Sequence, residues 1–201
     1  MSTPQKASRT NAERSEATRG DLIAAGRSLF ARAGFNNVST EQIVTSAKVT
    51  RGALYHHFGD KRGLFREVCE VVEADVMVQI GEAVVGLTDI WDIVLKSSET
   101  FLDICLEPEF QRIAIIDAPS VIGQQELMEI ADRYGGALLQ ALITAMIDAG
   151  EIKPMPVKPL ARMLTGALIS GGLVIAEAED PSAAREEVGA IVEALFRGLS
   201  S

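Results

Sequence analysis

A chain of 201 residues with 47% apolar side chains is able to bury a real core, and it is far too hydrophobic for a disordered or fibrous protein. A net charge of −9 argues against nucleic acid as a partner only until the chain is divided: residues 1–67 carry eleven Lys and Arg against six Asp and Glu, and the other 134 carry eight against twenty-two. A basic head on an acidic body is the pattern of one domain that meets phosphates joined to one that does not.

Residues 1–14, MSTPQKASRTNAER, are polar and without periodicity, and read as a loose basic arm. From Glu16 a helix is predicted, with Leu22, Ile23, Leu29, Phe30 and Ala33 at helical spacing and Gly34 as its stop. Gly26 is an odd residue for its interior, costing about 1 kcal/mol against alanine.

The stretch STEQIVTSAKVTRGALYHHFGDK, residues 39–61, packs two short helices and a tight turn into one unit. Ser39 with Gln42 three positions on has the spacing of a capping box, which starts a helix at Thr40. Lys48-Val49 forms the turn, and Thr50 caps a second helix that ends near Phe58, before Gly59. Two helices joined by so short a turn have helix-turn-helix geometry. Leu54 and Phe58 lie four apart and face inward, which leaves Arg51, Gly52, Ala53, Tyr55, His56 and His57 around the outer side. Such a face suits a major groove, where arginine grips guanine and glycine permits close approach. Asp60 caps the next helix, whose first turn carries Lys61, and amides and ammonium together suit a phosphate.

Residues 19–64 resemble the N-terminal domain of the TetR family of transcriptional regulators. RGDLIAAGRSLFARAGFNNVST resembles its first helix and exit, and VTRGALYHHFGDKRGLF its recognition helix and the start of the fourth. The resemblance implies DNA contacts from Thr40, Thr50, Arg51, Gly52, Tyr55, His56, His57 and Lys61. It also implies a homodimer formed by the two C-terminal helices, and a small-molecule effector held in a second helical domain.

Beyond Lys61, periodicity continues through Leu64, Phe65, Val68, Val72 and Val76 to about Ile80. A further helix is predicted over 89–106, then a short one from Pro108 to Asp117 ended by Ala118-Pro119, then helices over 124–149, 156–177 and 181–199, the last capped by Asp180. No strand pattern occurs. The expected fold is all-α: a basic arm (1–14), a three-helix helix-turn-helix domain (15–67) and a larger effector-binding and dimerisation domain (68–201). Gly166, Ala167, Ser170, Gly171 and Gly172 are small enough to admit a second helix closely, from a partner chain or from this one.

Residues 68–201 contain no histidine, which deprives that domain of Ser-His or Cys-His pairs and of His-containing zinc sites. Neither a P-loop nor a dinucleotide fingerprint is present. An enzyme is therefore not expected, and no cofactor or metal is assigned; the adjacent His56 and His57 have only Asp60 nearby as a further ligand. Trp91, Phe101, Arg112, Asp117 and Tyr134 are the candidate effector contacts, each with core packing or a structural ion pair as its alternative use. Cys69 and Cys105 fit reduced core thiols. With no leader pattern, and a longest uncharged run of fourteen residues (163–176), a cytoplasmic protein is expected. The reading is a ligand-responsive regulator, more a repressor than an activator, that leaves an inverted-repeat operator when its effector binds. The alternative is a constitutive dimeric DNA-binding architectural protein without an effector.

Overall fold

A computed structural model describes residues 10–200, and the chain divides between Val68 and Cys69 into two compact units. Among the described residues every regular element is helical, and one isolated antiparallel bridge joins Ile152 to Ser200.

In the first unit, α1 (Asn11–Ala33) starts earlier than its hydrophobic spacing alone predicts. The Thr10 hydroxyl accepts from the Glu13 amide at 3.2 Å while the Glu13 carboxylate accepts from the Thr10 amide at 2.7 Å. This reciprocal cap satisfies amides that a loose arm would have left to water, so residues 11–14 are helix. The rest of the expected arm, residues 1–9, lies outside the described residues. Gly34, at φ 76°, closes α1 and turns the chain through a short 3-10 segment (Phe35–Asn37).

α2 (Thr40–Ala47) starts at the Ser39–Gln42 capping box, and α3 (Arg51–Phe58) at Thr50, whose hydroxyl accepts from the Ala53 amide at 3.3 Å. Between them Lys48 adopts the left-handed conformation, φ 55°, where a side chain costs about 1 kcal/mol. The Phe30, Phe35 and Phe65 rings meet pairwise at 5.1–5.7 Å over a core that includes Leu22, Ile43, Leu54 and Leu64. Each side chain fully withdrawn from water there contributes roughly 1.5–3 kcal/mol. Gly26 is explained by this packing, because a Cβ on it would lie 3.1 Å from Leu64 Cδ2. α4 (Lys61–Ala83) is one continuous helix that begins in the first unit and ends in the second.

In the second unit α5 (Ile90–Ile104) is capped by Asp89. The short helix expected to stop at Asp117 instead runs on: α6 (Pro108–Phe110), a π-helical segment (Gln111–Asp117) and α7 (Ala118–Val121) follow without a break. Pro119 has no amide and its ring crowds the carbonyl four residues back, and the wider π turns directly before it accommodate that misfit. The single helix expected over 124–149 is two, α8 (Gln124–Arg133) and α9 (Gly135–Asp148). They break at Tyr134, whose φ −101° and ψ −95° are non-helical, just before the flexible pair Gly135-Gly136.

α10 (Val157–Glu177) packs on α5, α9, the π segment and α11 (Pro181–Arg197), which Asp180 caps. Of the small residues of α10, Gly171 and Gly172 serve these internal contacts, whereas Gly166 has open space beside it. A Cβ on Gly171 would lie 2.7 Å from Val188 Cγ1, and one on Gly172 2.9 Å from Cys105 Sγ. Cys69 and Cys105 are buried free thiols, with burial pushing Cys105 up to about 12 and Cys69 in the same direction, so neither is a reactive thiolate at neutral pH. α10 is long and apolar enough to cross a membrane, but its apolar residues divide between the core (Ala161, Leu164, Ile175) and an outer face (Met163, Leu173, Val174).

Candidate nucleic-acid interface and ligand cavity

The outer side of α3 is set by burial of Leu54, which turns Arg51, Gly52, Tyr55 and His56 to solvent and leaves His57 half-buried. Arg51 donates to the Tyr55 hydroxyl at 3.2 Å and its guanidinium lies 5.6 Å from the ring centroid, so the two form one donor-rich edge. Gly52 is not required by internal packing, since a Cβ there would meet nothing nearer than Thr50 Oγ1 at 3.8 Å; its absence leaves room on the outside. The His56 and His57 rings are edge-on at 5.2 Å. Thr50 is exposed at the start of α3, and Thr40 is half-buried in the first turn of α2. Arg51, Gly52, Tyr55 and His56 share the exposed side of α3.

Lys61 is different. Its ammonium donates to the carbonyls of Phe35 and Val38 at 2.9 and 2.8 Å and sits 4.0 Å from the Phe35 ring centroid. Burial pulls its pKa below the usual lysine range. Two of its three donors tie the exit of α1 to the start of α4, which leaves one uncommitted. Asp60 caps α4 by accepting from the Gly63 amide at 2.7 Å.

Gly63 escaped the reading of the sequence. A Cβ on it would stand 2.0 Å from the Phe58 carbonyl oxygen, so the end of α3 rests directly on the first turn of α4. A glycine in the first turn of a helix is the only trace that this leaves in sequence.

The second unit holds an apolar cavity of about 80 Å³. α4, α5, α8, α9, α10 and the π segment with its preceding turn form the wall. Of the five residues expected to contact an effector, Phe101 lines it, edge-on to Phe110 at 5.9 Å. The other four are outside the lining and have internal partners. Trp91 Nε1 donates to Glu151 at 3.0 Å, Arg112 forms an ion pair with the buried Asp117 at 3.4 Å although its Nε makes no hydrogen bond, and Tyr134 stands beside Glu70 at the break between α8 and α9. Chemical conspicuousness in sequence selected them, but a polar group held by a neighbour in the same chain is not free for a ligand.

The polar groups on the cavity wall are quieter ones. Glu73 stands on the same stripe of α4 as Val76, Met77 and Ile80 and has no hydrogen bond or ion pair within the described residues. Burial first, and the neighbouring Glu70 carboxylate second, raise it to about 7. Ser97 is buried with its hydroxyl unpartnered. The legible signal was a carboxylate at position i of an i, i+3, i+4, i+7 apolar stripe.

Residues 22–68 match the family described as bacterial regulatory proteins, tetR family, and residues 91–199 match the tetracyclin repressor-like C-terminal domain. The Transposon Tn10 TetC protein of Escherichia coli is 27% identical over 158 residues, covering 77% of this chain and 78% of its own length. The HTH-type transcriptional repressor AcnR of Corynebacterium glutamicum is 27% identical, covering 77% and 86%. Among solved structures, a TetR-family transcriptional regulator from Pectobacterium atrosepticum superposes with a TM-score of 0.82 at 34% identity, covering 96% of this chain and 98% of that one. RolR in complex with resorcinol gives 0.75 at 20% identity, covering 92% and 90%.

Proposed function

The chain belongs to the TetR family of transcriptional regulators, which are DNA-binding proteins and not enzymes, and from that premise we propose a homodimeric repressor that leaves an inverted-repeat operator when a small molecule enters the cavity of its second unit. One observation carries the reading: the cavity wall includes Glu73, Val76, Met77 and Ile80 of α4, the same continuous helix whose first turn holds Lys61 and abuts the end of α3. A ligand that prefers one setting of α4 then biases the recognition helices of a dimer, which engage two half-sites together only near about 34–36 Å or a multiple of it. A coupling of roughly 1–3 kcal/mol weakens operator binding about 5- to 150-fold.

Dimerisation is supported by exposed apolar side chains on the outer faces of α10 (Met163, Leu173, Val174) and α11 (Ile191, Leu195), a patch that a monomer would leave in water. In this reading Thr40, Thr50, Arg51, Gly52, Tyr55, His56, His57 and Lys61 contact DNA, and the two-fold axis of the dimer makes the operator palindromic. The AcnR relative is named a repressor, which supports the direction of control. An apolar cavity with unpaired polar groups disfavours the architectural alternative, for which a solid core suffices. The test is selection of a binding site from random duplex, followed by sedimentation of the complex. Two chains on a two-fold symmetric site are expected; one chain on an asymmetric site would overturn the proposal.

A further inference from the structure

The cavity wall contains a single ionisable side chain, Glu73, set among Val, Ile, Leu, Met and Phe side chains. Neither Lys, Arg nor His reaches the lining, so a ligand carboxylate or phosphate entering it would find no counter-charge and would face a carboxyl group. A pure hydrocarbon would leave two groups unsatisfied. Ser97 is among the few buried polar residues of the described chain segment and its Oγ has no hydrogen-bond partner, and Glu73 has neither a hydrogen bond nor an ion pair within the described residues. Arg133 pairs with Glu70, one turn before Glu73 on α4. Unpaired polar groups in an apolar enclosure are costly, and a ligand that pairs them recovers that cost on binding.

We propose that the cavity takes a small amphipathic amine, its apolar body against the aliphatic and aromatic wall, its protonated nitrogen donating to the Glu73 carboxylate, and the Ser97 hydroxyl as a second polar partner. This deepens the effector reading given above and rests on it. The raised pKa of Glu73 agrees with the geometry, because it reflects a carboxyl group with low-dielectric surroundings and no cation beside it. An ammonium supplies the missing charge, and its charge-assisted hydrogen bond is stronger than any that a neutral donor can make.

The experiment uses the full chain and two matched series, benzylamine, benzyl alcohol and benzoate, and hexylamine, hexanol and hexanoate, measured by calorimetry and thermal shift. The amines are expected to bind roughly tenfold or more tighter than the alcohols, with the carboxylates weakest. Glu73→Gln, nearly isosteric and free of the unpaired charge, is expected to abolish the amine preference, and Glu73→Leu to do the same. Ser97→Ala is expected to weaken amine binding by a smaller factor. Carboxylates binding as well as amines, no member of either series binding, or an amine preference that survives both Glu73 variants would overturn the proposal; the last outcome means attraction to the acidic surface. Titrating benzylamine against the operator complex separates the two readings. Glu73-dependent binding without a change in operator affinity would leave the amine site standing and overturn its regulatory role, whereas release by a neutral or anionic ligand alone would do the reverse.

Discussion

Arg51 donates a hydrogen bond from its guanidinium to the hydroxyl of Tyr55, one turn further along α3, at 3.2 Å. Because both side chains are exposed, the pair holds the arginine in one orientation at the surface without anchoring it to the core. Arg51→Ala is expected to lower affinity for the preferred operator roughly 5- to 150-fold and to relax selectivity at one base position. Tyr55→Phe is expected to keep the preferred base and lose a smaller factor, since the guanidinium then has more orientations to give up. Anisotropy titrations over single-base operator variants check both, and an equal loss on every sequence for Arg51→Ala would remove it from base reading.

Lys61 ties the exit of α1 to α4 and, in the proposed function, binds phosphate, so its loss is expected to appear in two measurements. Lys61→Ala removes hydrogen bonds to the Phe35 and Val38 carbonyls and is expected to cost roughly 1–3 kcal/mol in urea unfolding. It is also expected to weaken binding to all duplexes and to flatten the salt dependence by about one unit. Full stability with reduced DNA affinity would mean that the carbonyl contacts contribute nothing.

Two glycines provide a matched test of packing. Gly63→Ala places a methyl group on the Phe58 carbonyl and is expected to destabilise by about 2 kcal/mol or more, with loss of operator binding. Gly20→Ala, in mid-α1 with nothing within 4 Å, is expected to stabilise by about 0.5–1 kcal/mol. Thermal melts of the two variants should shift in opposite directions.

The pH dependence of stability should carry the mark of Glu73. Its folded pKa, about 7, lies above the ordinary 4.5, so between these values the folded state binds more protons than the unfolded one. Stability from this group is therefore present below about pH 4.5 and is lost as pH rises to about 7, by at most about 3 kcal/mol, and by less where water enters the cavity. Glu73→Gln is expected to remove this component, so the stability difference between variant and parent should widen from pH 5 to pH 8. A difference that is flat with pH would mean that the carboxyl is not held in its neutral form.

Assembly and folding separate on α10. Val174→Asp, on the outer face, is expected to give a folded monomer in sedimentation at micromolar concentration. Gly171→Arg, by contrast, is expected to unfold the second unit, since even a Cβ there meets Val188 at 2.7 Å. A Val174→Asp chain that still sediments as a dimer would move the interface elsewhere.

The helix-turn-helix was legible because its determinants are local. Ser39, Gln42 and Thr50 cap their helices through bonds that span three residues, and the inward face of α3 follows from the spacing of Leu54. The all-helical class and the breaks at Gly34 and Gly59 follow from backbone preferences of single residues in the same way. The break at Tyr134 is missed because helical periodicity runs through Gly135-Gly136, and Pro119 is read as a stop where the π segment before it lets the helix continue.

The sequence by itself determined the class of the protein, the solvent-facing side of α3 and the outline of most helices, since propensity, capping and periodicity act over one or two turns. Only the tertiary structure decided which polar groups are spent and which are left over. Lys61 finds its acceptors 23 and 26 residues away, Trp91 finds Glu151 sixty residues on, and Gly171 gives its space to Val188 rather than to a partner. Glu73 and Ser97 are conspicuous only because nothing comes to meet them, and that is fixed by the packing of α4, α5, α8, α9 and α10 around the cavity. A side chain carries its hydrogen-bonding capacity in its chemistry, but whether that capacity is already satisfied depends on residues distant in the chain that folding brings beside it.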